Sequence, residues 1–314
     1  MKTLSLGRSS LQVSRLAYGC WRLAGTWDSA HVTPEKEAHG RAAVIAAFEA
    51  GYTFFDHADI YCDGVAETVF GEVLRRVPGM RNRILIASKC GIRKCGEPDS
   101  HAPYRYDFSA SHIVNSCEAS LKRLGVDCID LYQLHRPDFL CDPEEVASAF
   151  SQLRQAGKAR EFGVSNFRPS QVAMLQAACP MTLVVNQVEI SLCHLDAFSD
   201  GTLDQCLALK MTPMAWSPLG GGRLGCGVAV DMQDPQHARK LRLNEALEAL
   251  ARERGSNRVA ISLAWLLKHP AGIVPIVGSI SPEHIRGALG ALDIDLSREE
   301  WYRLFDAAYG ERLP

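Results

Sequence analysis

Polar side chains with titratable or amide chemistry recur where apolar runs end in this sequence. One run closes on Asp56 and continues as His57-Ala58-Asp59-Ile60-Tyr61. Others close on Lys89, on His135, on Ser165-Asn166, on Asn186-Gln187 and on Trp216-Ser217. A single such residue is usually a solvated boundary. Run after run ending this way is hard to explain by solvation, and the residues read as a set converging on one site. Carboxylate, ammonium and imidazole together suit proton transfer or metal chemistry. A metal site needs several His or carboxylate ligands. No HxH or HxxE pair ends a run here, so a metal-dependent hydrolase is the weaker reading and no metal ligand is assigned.

The elements that must position these side chains are short and regularly spaced. Strands are expected at 16–20, 53–56, 84–89, 129–135, 161–165, 183–187, 212–216 and 273–277. Most are continuous apolar runs, as in parallel strands buried on both faces. Helices lie between them. Asp142-Pro143-Glu144-Glu145 offers an N-cap, a first-turn proline and early acids, with Val146, Phe150 and Leu153 on one face. Ile113, Cys117, Leu121 and Leu124 form a similar stripe closed by Gly125, and Ser256 starts a helix that Pro270 stops. Strands alternating with helices over this length imply an α/β fold, a (β/α)8 TIM barrel, with a doubly wound open sheet as the alternative. Thr3–Leu6 and Leu11–Ser14 alternate about a Gly7–Ser10 turn and predict a β-hairpin ahead of the barrel. No linker or composition shift divides residues 1–314, which read as one domain.

The strings FDHADIY, IASKCG and LYQLHRPD place Asp56, Tyr61, Lys89 and His135 in contexts that resemble the catalytic tetrad of the aldo-keto reductases. KAREFGVSNF, LVVNQVEIS and MAWSPLGGGRL resemble that family's cofactor-binding segments, most like those of bacterial members with short C-terminal tails. The resemblance runs from the hairpin to about residue 290 and implies reduction of aldehyde or ketone carbonyls by hydride from NADPH. Tyr61 would then donate the proton. A free Tyr, with a pKa of about 10, is a reluctant acid, and an ammonium at Lys89 is expected to lower that value. Asp56 would be the counter-ion of Lys89, and His135 would orient the carbonyl and steady the developing oxyanion. A nucleotide-binding regulatory protein of the same fold, without turnover, is the alternative.

The resemblance also implies the cofactor set. Ser165, Asn166 and Gln187 would grip the carboxamide, and Trp216 would stack on the nicotinamide. Ser217, Leu219, Gly221 and Arg223 would line the pyrophosphate, with Gly278, Ser279 and His284 toward the adenosine. Gly220 to Gly225 matches GxGxxG, but Cys226–Pro235 does not read as a helix and position 240 is Lys, so the Rossmann reading fails. Ser281-Pro282 reads as a helix start able to receive phosphate. His284 stands where the best-known members have Arg, and Gly287 and Ala288 stand where they have an acid and an amide. Ser279 and Arg286 are expected to compensate, and NADPH is favoured over NADH.

Composition bounds the partners. Lys+Arg 34 against Asp+Glu 36 gives a net charge of −2 without long runs of one sign, which argues against nucleic acid and membrane surfaces. No stretch approaches the ~18 apolar residues of a membrane span. The N-terminus lacks the apolar core of a signal peptide. Eleven cysteines, an odd number without CxxC pairs, read as reduced thiols of a cytoplasmic protein. Nothing specifies an oligomer, so a monomer is the default. Loops at 20–33, 136–142 and 219–240 would set the substrate, with Trp21, Trp27 and Phe139 as an apolar wall. The tail carries one amphipathic helix bearing Trp301, Leu304, Phe305 and Ala308, and so leaves the pocket open.

Overall fold

The structure is a computed structural model and describes residues 1–227, 229 and 236–310. The strands are β1 (Thr3–Ser5), β2 (Gln12–Ser14), β3 (Ala17–Gly19), β4 (Phe54–Asp56), β5 (Leu85–Cys90), β6 (Ile92–Arg93), β7 (Arg105–Tyr106), β8 (Ile129–Leu134), β9 (Ala159–Ser165), β10 (Leu183–Glu189), β11 (Thr212–Trp216) and β12 (Val274–Val277). β3, β4, β5 and β8 to β12 pair in parallel, each with the next, and β12 returns to β3 to close the barrel. The open-sheet alternative is therefore excluded. Each barrel strand lies within about two residues of its expected span because a continuous apolar run in a strand buried on both faces is bounded by turn residues on either side.

β1 and β2 form the expected antiparallel hairpin, Leu4 opposite Val13. It plugs the N-terminal end of the barrel. Leu6, Leu11 and Val13 join Ala17, Phe54, Leu131 and Met214 in one interior cluster. The plug fits because Gly7 holds φ +57° and a Cβ there would lie 2.5 Å from the Val184 carbonyl oxygen.

A second, larger core joins the outer strand faces to the helices. Those used below are α2 (Val65–Arg76), α3 (Ala110–Leu124), α4 (Pro143–Gln155), α7 (Arg223–Cys226), α8 (His237–Glu253), α9 (Arg258–Leu267), α10 (Pro282–Gly287) and α11 (Arg298–Tyr309), with labels following chain order. Asp142 caps α4 through the Glu144 N–H, and Gly125 ends α3 in the left-handed region, both as expected. α9 departs by one residue, since the Asn257 side chain, not Ser256, accepts from Ala260 N–H. The tail helix α11 stacks Trp301 on Trp265 at 5.1 Å, and each indole N–H donates to the other residue's carbonyl. This docks α11 on the outer wall rather than over the barrel mouth. The sequence reading did not anticipate the β6–β7 hairpin, which rises from the C-terminal end of β5.

Candidate active site

At the C-terminal end of the barrel, β4 delivers Asp56 and β5 delivers Lys89, whose side chain is fully buried. An ammonium has three N–H donors. Lys89 Nζ uses them on Asp56 Oδ2 at 2.8 Å, the His57 carbonyl oxygen at 2.7 Å and Tyr61 Oη at 3.1 Å. The phenol oxygen thus accepts from Lys89, so its own hydrogen must point elsewhere. Burial alone would lower the Lys89 pKa, but Asp56 and Tyr61 offset this and hold it above the ordinary lysine value. Tyr61 corrects an expectation. Burial raises its pKa by more than Lys89 lowers it, so the phenol lies above the ordinary tyrosine value and stays protonated at neutral pH.

His135 stands beside Tyr61, ring centroids 5.9 Å apart and nearly perpendicular. Burial, then Lys89 and Arg136, push its pKa well below the usual imidazole value, which keeps it neutral. Its Nδ1 has no partner among the described residues. His57 packs edge-on against Phe70 of α2 at 4.5 Å, and neither ring nitrogen is bonded among the described residues. Burial and Lys89 hold its pKa down to about 3. It is a packed histidine whose carbonyl, not whose ring, serves Lys89.

One hydrogen-bonded chain joins this cluster to the amide residues. Gln187 Nε2 donates to Asp56 Oδ1 at 2.8 Å, and Ser165 Oγ donates to the Gln187 carbonyl at 2.8 Å. Asn166 Nδ2 donates to Ser165 Oγ at 2.9 Å and to the His135 carbonyl at 3.1 Å. Trp216 Nε1 then donates to Asn166 Oδ1 at 3.0 Å. Asn166 and Ser217 both sit at positive φ, +62° and +48°. That conformation costs a non-glycine residue about 1–2 kcal/mol and is a form of strain that clusters at functional sites.

Beyond Trp216 runs a groove of about 610 Å³. Of the sequence-assigned residues, Ser217, Leu219, Gly221, Gly278, Ser279 and His284 line it. Gly221 and Gly222 have positive φ, and a Cβ on either would meet open space, so this backbone is bare to the groove. Trp21 packs against Gly278, where a Cβ would lie 2.6 Å from the indole nitrogen. Trp21 also stacks on Trp27 at 4.9 Å, making part of the expected wall, whereas Phe139 is 91% exposed and joins no aromatic pair among the described residues. Arg223 turns back instead, with Nε donating to the Gly220 carbonyl at 2.6 Å, and is not among the groove residues; nor is Arg286. α7 is a single turn, and most of the following stretch to Pro235 lies outside the described residues. An extended groove with bare glycine backbone, continuous with a ring of amide donors, fits a dinucleotide in shape and chemistry. Among the described residues no group of three His, Cys, Asp or Glu is arranged to hold a metal ion, and no helix is long and apolar enough to cross a membrane.

The sequence reading passed over several residues. Arg22, Asn257 and Arg258 line the groove, but Arg and Asn in loops and first helical turns carry no distinctive signal. Gln133, on β8 in register with Lys89, is fully buried with neither amide atom bonded among the described residues. It lies inside a run that otherwise reads as core. Arg136 lies in the 136–142 loop, where nothing in the sequence sets it apart from its neighbours.

The family model described as "Aldo/keto reductase family" matches residues 15–308. Among curated proteins, the chain is 43% identical to the 6-dehydroglucose reductase of Novosphingobium aromaticivorans, covering 98% of this chain and 96% of that protein. It is 40% identical to the 6-dehydroglucose reductase of Agrobacterium fabrum, over 96% and 97% of the two chains. Oxidoreductase YdhF of Escherichia coli is 39% identical over the full length of both. Among solved structures, a thermostable aldo-keto reductase in complex with the inhibitor epalrestat superposes with TM-score 0.82 at 27% identity, over 98% of this chain and 100% of that one. The glycerol dehydrogenase of Gluconobacter oxydans superposes with TM-score 0.84 at 25% identity, over 99% and 97%. With its barrel, its strand-end cluster and matches over nearly its whole length, the chain belongs to the aldo/keto reductase family of NAD(P)H-dependent oxidoreductases that act on carbonyls.

Proposed function

We propose that the protein reduces aldehyde or ketone carbonyls to alcohols with NADPH, and that Tyr61 is the proton donor. The observation that carries this reading is the saturation of Lys89. With its three donors committed to Asp56, the His57 carbonyl and Tyr61 Oη, the phenol hydrogen is directed away from the ammonium. A carbonyl oxygen placed near Tyr61 and the neutral His135 receives a hydrogen bond from the phenol. As negative charge grows on that oxygen, the phenol proton moves to it, and Lys89 stabilises the phenolate left behind. Asp56 balances Lys89 throughout.

NADPH, when bound, supplies the hydride that no side chain can. Ser165, Asn166 and Gln187 would hold its carboxamide and Trp216 one face of its ring. Ser217, Leu219, Gly221 and Gly278 would follow the pyrophosphate, with Ser279 and His284 at the adenosine end. Arg223 would join them by giving up its bond to Gly220. The preference for NADPH over NADH is supported by Arg22 and Arg258 in the same groove, against a single carboxylate, Glu283. Two relatives named 6-dehydroglucose reductase make 6-dehydroglucose the first substrate to try.

Parallel titrations with NADPH and NADH, followed by a carbonyl panel including 6-dehydroglucose, test the reading. NADPH should bind more tightly. Tyr61→Phe should lose about 10²-fold or more in turnover, the usual worth of a positioned acid, with NADPH affinity nearly intact. Equal turnover by Tyr61→Phe sinks the assignment.

A further inference from the structure

Arg136 follows His135 directly and stands at the mouth of the site. Its guanidinium carbon lies 5.6 Å from the centroid of Trp216, whose indole is tied to Asn166. Its charge is felt at His135 and at Tyr104, so the guanidinium lies within electrostatic reach of both. Tyr104 is half exposed and sits one residue before β7. The nearest acid in the chain, Asp138, is committed to the Phe108 and Leu140 N–H groups. Arg136 itself is half-buried and has no carboxylate, carbonyl or hydroxyl partner among the described residues. It is also not among the residues lining the dinucleotide groove, so cofactor phosphate does not account for it.

The guanidinium rests over the face of Trp216 and makes no hydrogen bond to protein among the described residues, so its five N–H groups are open to a ligand. A ligand that brings oxygen acceptors engages those donors, and a hydrocarbon does not. The guanidinium fork matches a carboxylate, or two neighbouring oxygens, better than any other side chain. Its place beside His135 puts the acceptor close to the reacting carbonyl. We propose that Arg136 is a specificity-determining residue that selects carbonyl substrates with a carboxylate bonded directly to the carbonyl carbon or a hydroxyl on the carbon next to it, receiving that oxygen while His135 and Tyr61 hold the carbonyl itself. The proposal rests on the carbonyl-reductase reading and names the substrate class of that site.

The test compares glyceraldehyde, glyoxylate and propanal with wild type, Arg136→Met and Arg136→Lys, alongside NADPH affinity measured by tryptophan fluorescence. A hydrogen bond to a charged group contributes about 1.5–3 kcal/mol, so kcat/KM for the oxygen-bearing aldehydes relative to propanal should fall about tenfold or more in Arg136→Met. Most of the fall should lie in KM. Arg136→Lys should recover part of it for glyoxylate, which needs charge, and less for glyceraldehyde, which needs the fork. A loss confined to glyoxylate assigns the acceptor as a carboxylate; a loss on both includes hydroxyls. An equal loss on all three aldehydes, or one that tracks NADPH affinity, overturns the proposal. If wild type reduces none of these and no member of the wider carbonyl panel, the reductase reading itself falls, a result readily told apart from the preceding one.

Discussion

The Asp56–Lys89 pair allows a quantitative test of what holds the site together. Lys89→Met preserves the length and most of the volume of a side chain with no solvent exposure. It leaves Asp56, 2% exposed, with Gln187 Nε2 as its remaining side-chain donor among the described residues. Removing one partner of a buried ion pair costs about 3–5 kcal/mol, mainly because the other charge is stranded. Adding Asp56→Asn removes the stranded charge, and the new amide oxygen can still accept from Gln187. The double variant should therefore be more stable than Lys89→Met alone, by roughly 2 kcal/mol. Urea unfolding followed by tryptophan fluorescence would measure this, at low and high salt, and the difference should be insensitive to salt because the pair is sheltered from it. If the two substitutions destabilise additively, Lys89 is not held by Asp56 in the manner described. The phenol of Tyr61 is then not held by that pair either.

Two further outcomes follow from particular contacts. His57 is neutral in the folded chain down to about pH 3, whereas an unfolded histidine takes up its proton near 6.5, so the unfolded state binds more protons below that pH. Stability should fall on acidification below pH 6.5 by up to about 1.4 kcal/mol per unit from this residue, and His57→Leu should flatten the slope; an unchanged slope refutes the assignment. NADPH should quench tryptophan emission through Trp216, and a quench that survives intact in Trp216→Leu removes the stacking role.

Much of the architecture was legible because a barrel strand buried on both faces has little freedom of composition. Val274–Val277 is apolar throughout, and Ile129–Leu134 is apolar at four of its six positions. The polar residues at strand ends were legible for the complementary reason, since they interrupt those runs. What stayed hidden was mostly long-range. Nothing local marks Gln133 as an unbonded amide, because its surroundings come from neighbouring strands rather than from its own. The fold-back of Arg223 onto Gly220 depends on three successive glycines at positive φ, which sequence permits but does not dictate. Lys89 does lower the pKa of Tyr61, as its charge implies, but the burial that outweighs it comes from packing that no local sequence pattern reveals. The β6–β7 hairpin escaped because its strands are two residues long, below any periodicity.

Asp56 divides its two oxygens between Lys89 and Gln187, one from the acid–base cluster and one from the residues assigned to the carboxamide. In the proposed reaction, occupancy of the groove and protonation at Tyr61 are therefore not independent variables. Any reorientation of Gln187 on cofactor binding changes what Asp56 offers Lys89, and Lys89 in turn sets the phenol. Linkage makes this reciprocal. A change at Gln187 would be read in the pH profile, a change at Asp56 in the affinity for the dinucleotide, and the filling of the groove in the uptake or release of a fraction of a proton.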